Sequence, residues 1–223
     1  MGITERKERE KEHRKEEILD AAQKVFFEKG LMVATMDEIA EAAELSKGTL
    51  YLYYKSKEDL YLGVMMRGME TLYSMCENII ASDSSIVQKL VKFIEIYKEF
   101  YYTNRSFFRM SHFAQTPQFH KQVSEEMRQT CNIQSGKLWN LIDVVLKQGM
   151  EEGLLRSDLH PIEITLILWS SSTALLLRND NEGEIWKGRG IDLTHTVDIS
   201  NELFLESILT DRGRTEYAAL KNK

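Results

Sequence analysis

Nine residues from Ser46 to Tyr54, "SKGTLYLYY", gather two aliphatic hydroxyls, an ammonium group and three phenols around a glycine and two leucines. These groups donate hydrogen bonds to phosphate and to base edges, while a leucine can pack on an apolar methyl. At about 100° per residue, Leu50 and Tyr54 share one helix face, and Gly48, Thr49 and Leu52 make the opposite one. If Leu50 and Tyr54 enter a core, Leu52 points outward beside a glycine and a threonine. A globular surface has little reason to display that set, so another molecule should cover it. Other chemistry is poorly served. His112 and His120 lie eight apart across Pro117, outside any compact metal-ligand motif. "KGRG" (Lys187 to Gly190) follows no strand and makes a poor phosphate loop, and no serine or cysteine sits in a nucleophile motif. The sequence predicts neither an enzyme nor a cofactor or metal site.

The elements around the stretch are legible from caps and periodicity. From Arg14 to Lys29, Ile18, Ala21, Ala22, Val25 and Phe26 recur at helical spacing, and Gly30 suits a left-handed helix stop. Thr35 with Glu38 forms a capping box before the inward stripe Met36, Ile39, Ala40 and Ala43. Ser46 caps the short helix that carries Leu52. Ser56 caps a long helix to Ala81, with Leu60, Val64, Leu72, Met75 and Ile79 inward. Two short capped helices joined by a tight turn describe a helix-turn-helix. In that motif the second helix enters the major groove by its N-terminal end, which would bring Ser46, Lys47, Gly48 and Thr49 nearest the DNA. Leu52 would reach a thymine methyl, Tyr51 and Tyr53 would reach phosphate oxygens, and Lys57 would sit at the anion-favouring start of the next helix.

The chain has 223 residues and a formal net charge of -6, unlike the basic balance common in DNA-binding domains. Between Leu45 and Lys57, however, the only charges are Lys47, Lys55 and Lys57, all positive. Cys76 and Cys131 are far apart, which argues against a disulfide scaffold. The longest uncharged run, Ile164 to Leu177, is shorter than a membrane span and carries three serines. Without a signal-peptide pattern either, the sequence predicts a cytoplasmic protein that does not enter a membrane.

The segments "ILDAAQKVFFEKG" and "ATMDEIAEAAELSKGTLYLYYKSKEDLYLGV" resemble the TetR (tetracycline-repressor-like) family of bacterial regulators. The resemblance runs from Ile18 to Val64. It implies that Lys47, Gly48, Thr49, Tyr51, Leu52 and Tyr53 contact operator DNA, and that Thr35, Ser46 and Lys57 hold the phosphate backbone. Tyr53 stands where the family often has histidine, a departure that keeps a donor. The resemblance also implies an all-α protein whose helical second domain binds a small effector and dimerises.

The serine-rich break Ser82 to Ser85 predicts two domains, 1–81 for DNA binding with its connecting helix and 82–223 for effector binding and dimerisation. In the second, the spacing predicts a helix over Ile86 to Thr103, a short helix through Phe107, Phe108 and Met110, and a long helix from Phe119 to Glu152. A further helix opens at Pro161 and is apolar on nearly every face to Leu177, followed by a loop over residues 179–196. The last periodic helix runs from Val197 to Leu209, with a frayed tail after Thr210. A helix apolar on all sides needs cover on all sides, so Ile164–Leu177 and Val197–Leu209 are expected to build a homodimer interface. Candidate effector residues are Phe93, Tyr97, Phe100, Tyr101, Phe108, Phe113, Trp139 and Trp169, with Asn140 and Arg178 as polar anchors. The expected function is a repressor released from operator DNA by a small apolar effector. The rival is a helical adaptor whose Leu52 face docks a protein, and steep salt dependence would separate DNA binding from it.

Overall fold

A computed structural model describes residues 2–114 and 116–222, and it is built from eleven helices. They are α1 (Ile3–Val33), α2 (Met36–Ala42), α3 (Lys47–Tyr53), α4 (Lys57–Ala81), α5 (Ile86–Thr103) and α6 (Arg105–Phe113). The others are α7 (Pro117–His120), α8 (Glu125–Glu151), α9 (Pro161–Lys187), α10 (Leu193–Ile208) and α11 (Asp211–Lys221). Among the described residues the only β pairing is a single antiparallel bridge between Leu155 and Leu209. The fold is all-α.

The chain packs as two compact units, residues 1–70 with 106–134, and residues 71–105 with 135–223. This division differs from a single cut at Ser82. α4 and α8 each begin in the first unit and end in the second, and α6 and α7 return to the first after α5.

The first unit is built on one continuous core. Ile18, Ala22 and Phe26 of α1, Ile39 of α2, Leu50 of α3 and Leu60 and Val64 of α4 are all buried in it. Met110, Ala114, Phe119 and Val123 complete the same core from the later segment. Tyr61 stands at its centre, with its ring edge-on to Phe26 at 5.1 Å, Phe119 at 5.6 Å and Phe113 at 6.1 Å. Burial pushes the Tyr61 phenol well above its ordinary pKa.

α1 starts much earlier than the apolar periodicity predicts. Its first turns are exposed, and pairs such as Arg6–Glu10 at 2.8 Å and Arg14–Glu17 at 2.8 Å support them at helical spacing. Gly30, at φ 71, is the left-handed stop inside its last turns. The turn between α2 and α3 places Glu44 at φ 55, a backbone region costly for a residue with a Cβ.

In the second unit α9 and α10 form the most extensive helix pair, stitched by a buried hydrogen bond from Ser172 Oγ to Asn201 Oδ1 at 2.7 Å. Three sequence expectations are corrected here. α9 continues to Lys187 where a loop was expected, because Arg178–Glu182 and Trp186–Glu182 contacts one turn apart carry the helix through its polar end. α10 starts at Leu193, capped by Asp192. The tail after Thr210 is not frayed. Thr210 caps α11, and its hydroxyl reaches the Gly153 carbonyl at 2.8 Å. A Cβ on Gly213 would collide with the Leu154 carbonyl oxygen, so only glycine lets α11 lie so close. A fourth correction falls on α8, which begins at Glu125 rather than near Phe119. Pro117 opens a separate turn, and Ser124 then caps α8 through the Met127 amide.

Candidate nucleic-acid interface

The local sequence builds the interface from caps. Thr35 and Glu38 close the capping box of α2, with the Glu38 amide donating to Thr35 Oγ1 at 3.2 Å and the Thr35 amide to Glu38 Oε2 at 3.0 Å. Glu38 also holds Lys29 at 2.8 Å. That ion pair and the cap keep its carboxyl below the usual carboxylate range. Ser46 caps α3, accepting from the Thr49 amide at 3.0 Å, and the Ser46 and Thr49 hydroxyls lie 2.8 Å apart. The two hydroxyls are therefore presented as a pair at the first turn of α3.

The two faces of α3 separate as the sequence predicts. Leu50 is 0% exposed and Tyr54 6%, whereas Leu52 is 83% exposed and Tyr51 45%. Gly48 is exposed, and a Cβ there would meet only Ser46 Oγ at 3.7 Å, so the protein itself does not require glycine. Tyr53 is half-buried and packs against the core, a larger structural share than a pure phosphate contact would have. Lys47 is exposed, with its ammonium 2.8 Å from Asp37 of α2.

Lys57 stands at the start of α4, as the sequence predicts, and has a structural role besides. Its ammonium donates to the carbonyls of Leu31 at 2.6 Å and Ala34 at 2.7 Å, tying the start of α4 to the turn between α1 and α2. An ammonium has three donors, so one N–H remains for a phosphate while two hold the fold.

Residues 18–64 match the family described as bacterial regulatory proteins, tetR family. Over 146 residues the chain is 31% identical to the fatty acid metabolism regulator protein of Bacillus subtilis (strain 168), an alignment covering 64% of this chain and 71% of that one. The chain belongs to the TetR family. It is a DNA-binding transcriptional regulator. TetR-family regulators bind operator DNA as dimers and respond to small-molecule effectors. A shorter match, 34% identical over 90 residues, aligns it with the HTH-type transcriptional activator FasR of Mycolicibacterium smegmatis and spans 40% of this chain but only 41% of FasR. The fold resembles the crystal structure of the regulator FadR from Bacillus subtilis in complex with stearoyl-CoA. Their TM-score is 0.65 at 21% identity, covering 86% of this chain and 98% of FadR.

In this TetR-family chain the effector candidates do not form one group. Phe93 and Phe100 are buried on α5, and Tyr97 follows the same helix face. The Tyr97 hydroxyl lies 2.6 Å from that of Thr173, and Trp169 reaches it too, next to Trp139 at 6.0 Å ring to ring. Burial pushes the Tyr97 phenol up to about 12. Tyr101 donates to Asp180 at 2.6 Å, with the Arg105 guanidinium 3.4 Å from the same carboxylate. Phe108 and Phe113 belong to the first unit, where Phe113 packs beside Tyr61 and Phe119. Asn140 and Arg178 are exposed, and Arg178 pairs with Glu182. Polar groups paired with the α5 tyrosines are instead Thr173, Asn179 and Asp180 of α9, with the exposed Arg105 of α6 at Asp180. They come from two separate helices, and no sequence motif singles them out.

Substituting Gly48 by alanine tests the face assignment in isolation. Alanine is favoured over glycine in a helix by about 1 kcal/mol, so the thermal midpoint of Gly48→Ala is expected to hold or rise. DNA binding is expected to fall, because the added methyl would stand on the face proposed to meet the groove. Calorimetry and fluorescence anisotropy on a DNA duplex read the two effects separately, and a loss of both together would place Gly48 against the protein's own core.

Proposed function

We propose that the protein represses transcription by occupying an operator as a homodimer, and that a ligand with a long apolar body, of acyl type, releases it. The observation that carries the DNA-reading half is the 83% exposure of Leu52 beside the full burial of Leu50 on one capped helix. In this reading Thr49 and Leu52 read base edges, with Lys47, Gly48 and Tyr51 beside them. Thr35, Ser46, Tyr53 and the remaining donor of Lys57 hold phosphates. Residues 1–81 supply these contacts, and the rest of the chain supplies ligand binding and pairing.

Support for the ligand class comes from the relatives. One is named for fatty acid metabolism, and the FadR structure contains stearoyl-CoA. The second unit offers a matching chemistry in Phe93, Tyr97, Trp139 and Trp169, with the Thr173 hydroxyl as a fixed polar group. Release requires the ligand to prefer the non-binding form, and a tenfold loss of operator affinity corresponds to about 1.4 kcal/mol of preference. The test is anisotropy with a duplex selected from random DNA, titrated with saturated acyl-CoAs of increasing chain length. Affinity is expected to fall at least tenfold for long chains and to stay constant for acetyl-CoA. Unchanged affinity across the series would remove the acyl ligand, and tighter binding would reverse the direction of control.

Pairing is supported by exposed apolar side chains on the two helices expected to dimerise. Ile162, Leu166 and Ile167 of α9 are 47–56% exposed, and Ile199 and Leu203 of α10 are 44% and 63% exposed. Leu205 is 3% exposed and serves the chain's own core, so it is not an interface residue. The double variant Ile167→Glu with Leu203→Glu is expected to sediment as a folded monomer at micromolar concentration, since its charges would be buried unpaired in the dimer. An unchanged dimer would move the interface elsewhere.

A further inference from the structure

Two lysines close to α3, Lys47 and Lys55, are each paired with a carboxylate. The most telling case is Lys55, the residue after the α3 cap Tyr54, whose ammonium lies 2.9 Å from Glu126 in the first turn of α8. Both side chains are well exposed, and a lone surface pair of this kind has little weight by itself. Here the backbone beneath it is fastened. The Asp59 carboxylate, 2% exposed, accepts the Ser124 amide at 2.7 Å. Ser56 Oγ donates to the Gln122 carbonyl at 3.3 Å. These bonds dock residues 122–124 on the first turn of α4, which fixes Glu126 beside Lys55.

The hydrogen bond and charge of Lys55, and to a smaller extent the charges of Lys15 and Lys11 on α1, hold the Glu126 carboxyl below the usual range. Glu126 thus faces Lys55 directly, with Lys15 and Lys11 as weaker, longer-range influences, on the same unit as α3. A phosphate approaching Lys55 meets a carboxylate already in its place.

We propose that Lys55 is a DNA-backbone contact held in check by Glu126, so that phosphate and the first turn of α8 compete for one ammonium group. The consequence is a built-in ceiling on sequence-independent affinity. It also gives α8, which continues past Trp139, a direct hand in DNA binding, because any movement of its first turn changes how available Lys55 is. This rests on the DNA-binding reading and adds to it a residue and an internal competitor.

The test is a double-mutant cycle read by anisotropy on a 30-base-pair duplex of arbitrary sequence, over a series of salt concentrations. Glu126→Gln is expected to tighten binding about three- to tenfold at low salt and to steepen the salt slope by about one phosphate. Lys55→Gln is expected to weaken binding and to flatten the slope by a similar amount. With Lys55→Gln already present, Glu126→Gln is expected to change affinity less than twofold. A Glu126→Gln gain of equal size in both backgrounds would overturn the proposal, since it would report general acidity rather than competition for Lys55. No gain in either background would overturn it as well. Wild-type protein that binds no duplex at all would instead count against DNA binding itself. Melting curves of all four proteins exclude a folding defect, and Lys55→Arg is expected to restore wild-type affinity.

Discussion

Leu50→Ala is expected to destabilise the first unit by about 2–5 kcal/mol, the usual cost of emptying a fully buried leucine site. Leu52→Ala, two residues away on the same helix, is expected to change stability by less than about 0.5 kcal/mol. Its effect falls on DNA, where losing one apolar base contact relaxes discrimination by about 1–3 kcal/mol at a single position. The contrast follows from 0% and 83% exposure on opposite faces of α3. Circular-dichroism melts and selection from random DNA measure the two sides. Equal destabilisation by both substitutions would show that Leu52 is a core residue and would remove the reading surface with it. Tyr53→Ala is expected to lie between them, because its ring is half-buried against the core and its hydroxyl is a proposed phosphate contact.

A fragment of residues 1–81 is expected to lack a cooperative melt, although it contains every proposed DNA contact. Met110, Ala114, Phe119 and Val123 belong to the core that α1 to α4 build, and the fragment removes all four. Each large apolar side chain removed forfeits about 1.5–3 kcal/mol of burial, and the rings of Tyr61 and Phe26 lose cover as well. Against a total stability of about 5–15 kcal/mol for a typical domain, the loss is decisive. Residues 1–134 are expected to regain a cooperative transition. Thermal unfolding and the dispersion of amide proton shifts separate the cases. A well-dispersed spectrum from 1–81 with full-length stability would show that the returning segment only decorates the unit.

What the sequence revealed was what local chemistry controls. Capping pairs such as Thr35–Glu38 and Ser46–Thr49 involve residues three apart, and the Leu50/Leu52 facing follows from helical pitch alone. Both are found in the structure. Where long-range packing decides, local signals fell short. Nothing local to Lys57 signals that the Leu31 and Ala34 carbonyls take two of its donors. The polar run after Leu177 reads as loop by composition, but contacts one turn apart keep it helical. Phe113 reads as a pocket residue from its type, and only the fold shows that it serves the same core as Tyr61. Asp37, Asp180 and Glu126 were invisible for a related reason. Their importance comes from partners on other segments, and a surface acid has no signature of its own.

The return of residues 106–134 to the first unit also sets the order in which the regulator can come into being on the ribosome. The recognition helix leaves the exit tunnel early, but its supporting core stays open until the segment up to Gln134 has emerged. Beyond Ala81 that is 134 − 81 = 53 more residues, which take roughly 3–10 s at the usual 5–20 residues per second. During that interval Phe26, Tyr61 and Leu50 have no final cover. The nascent chain then exposes part of the core beneath α3, and the face proposed to read DNA gains its full support only when residues 106–134 fold back.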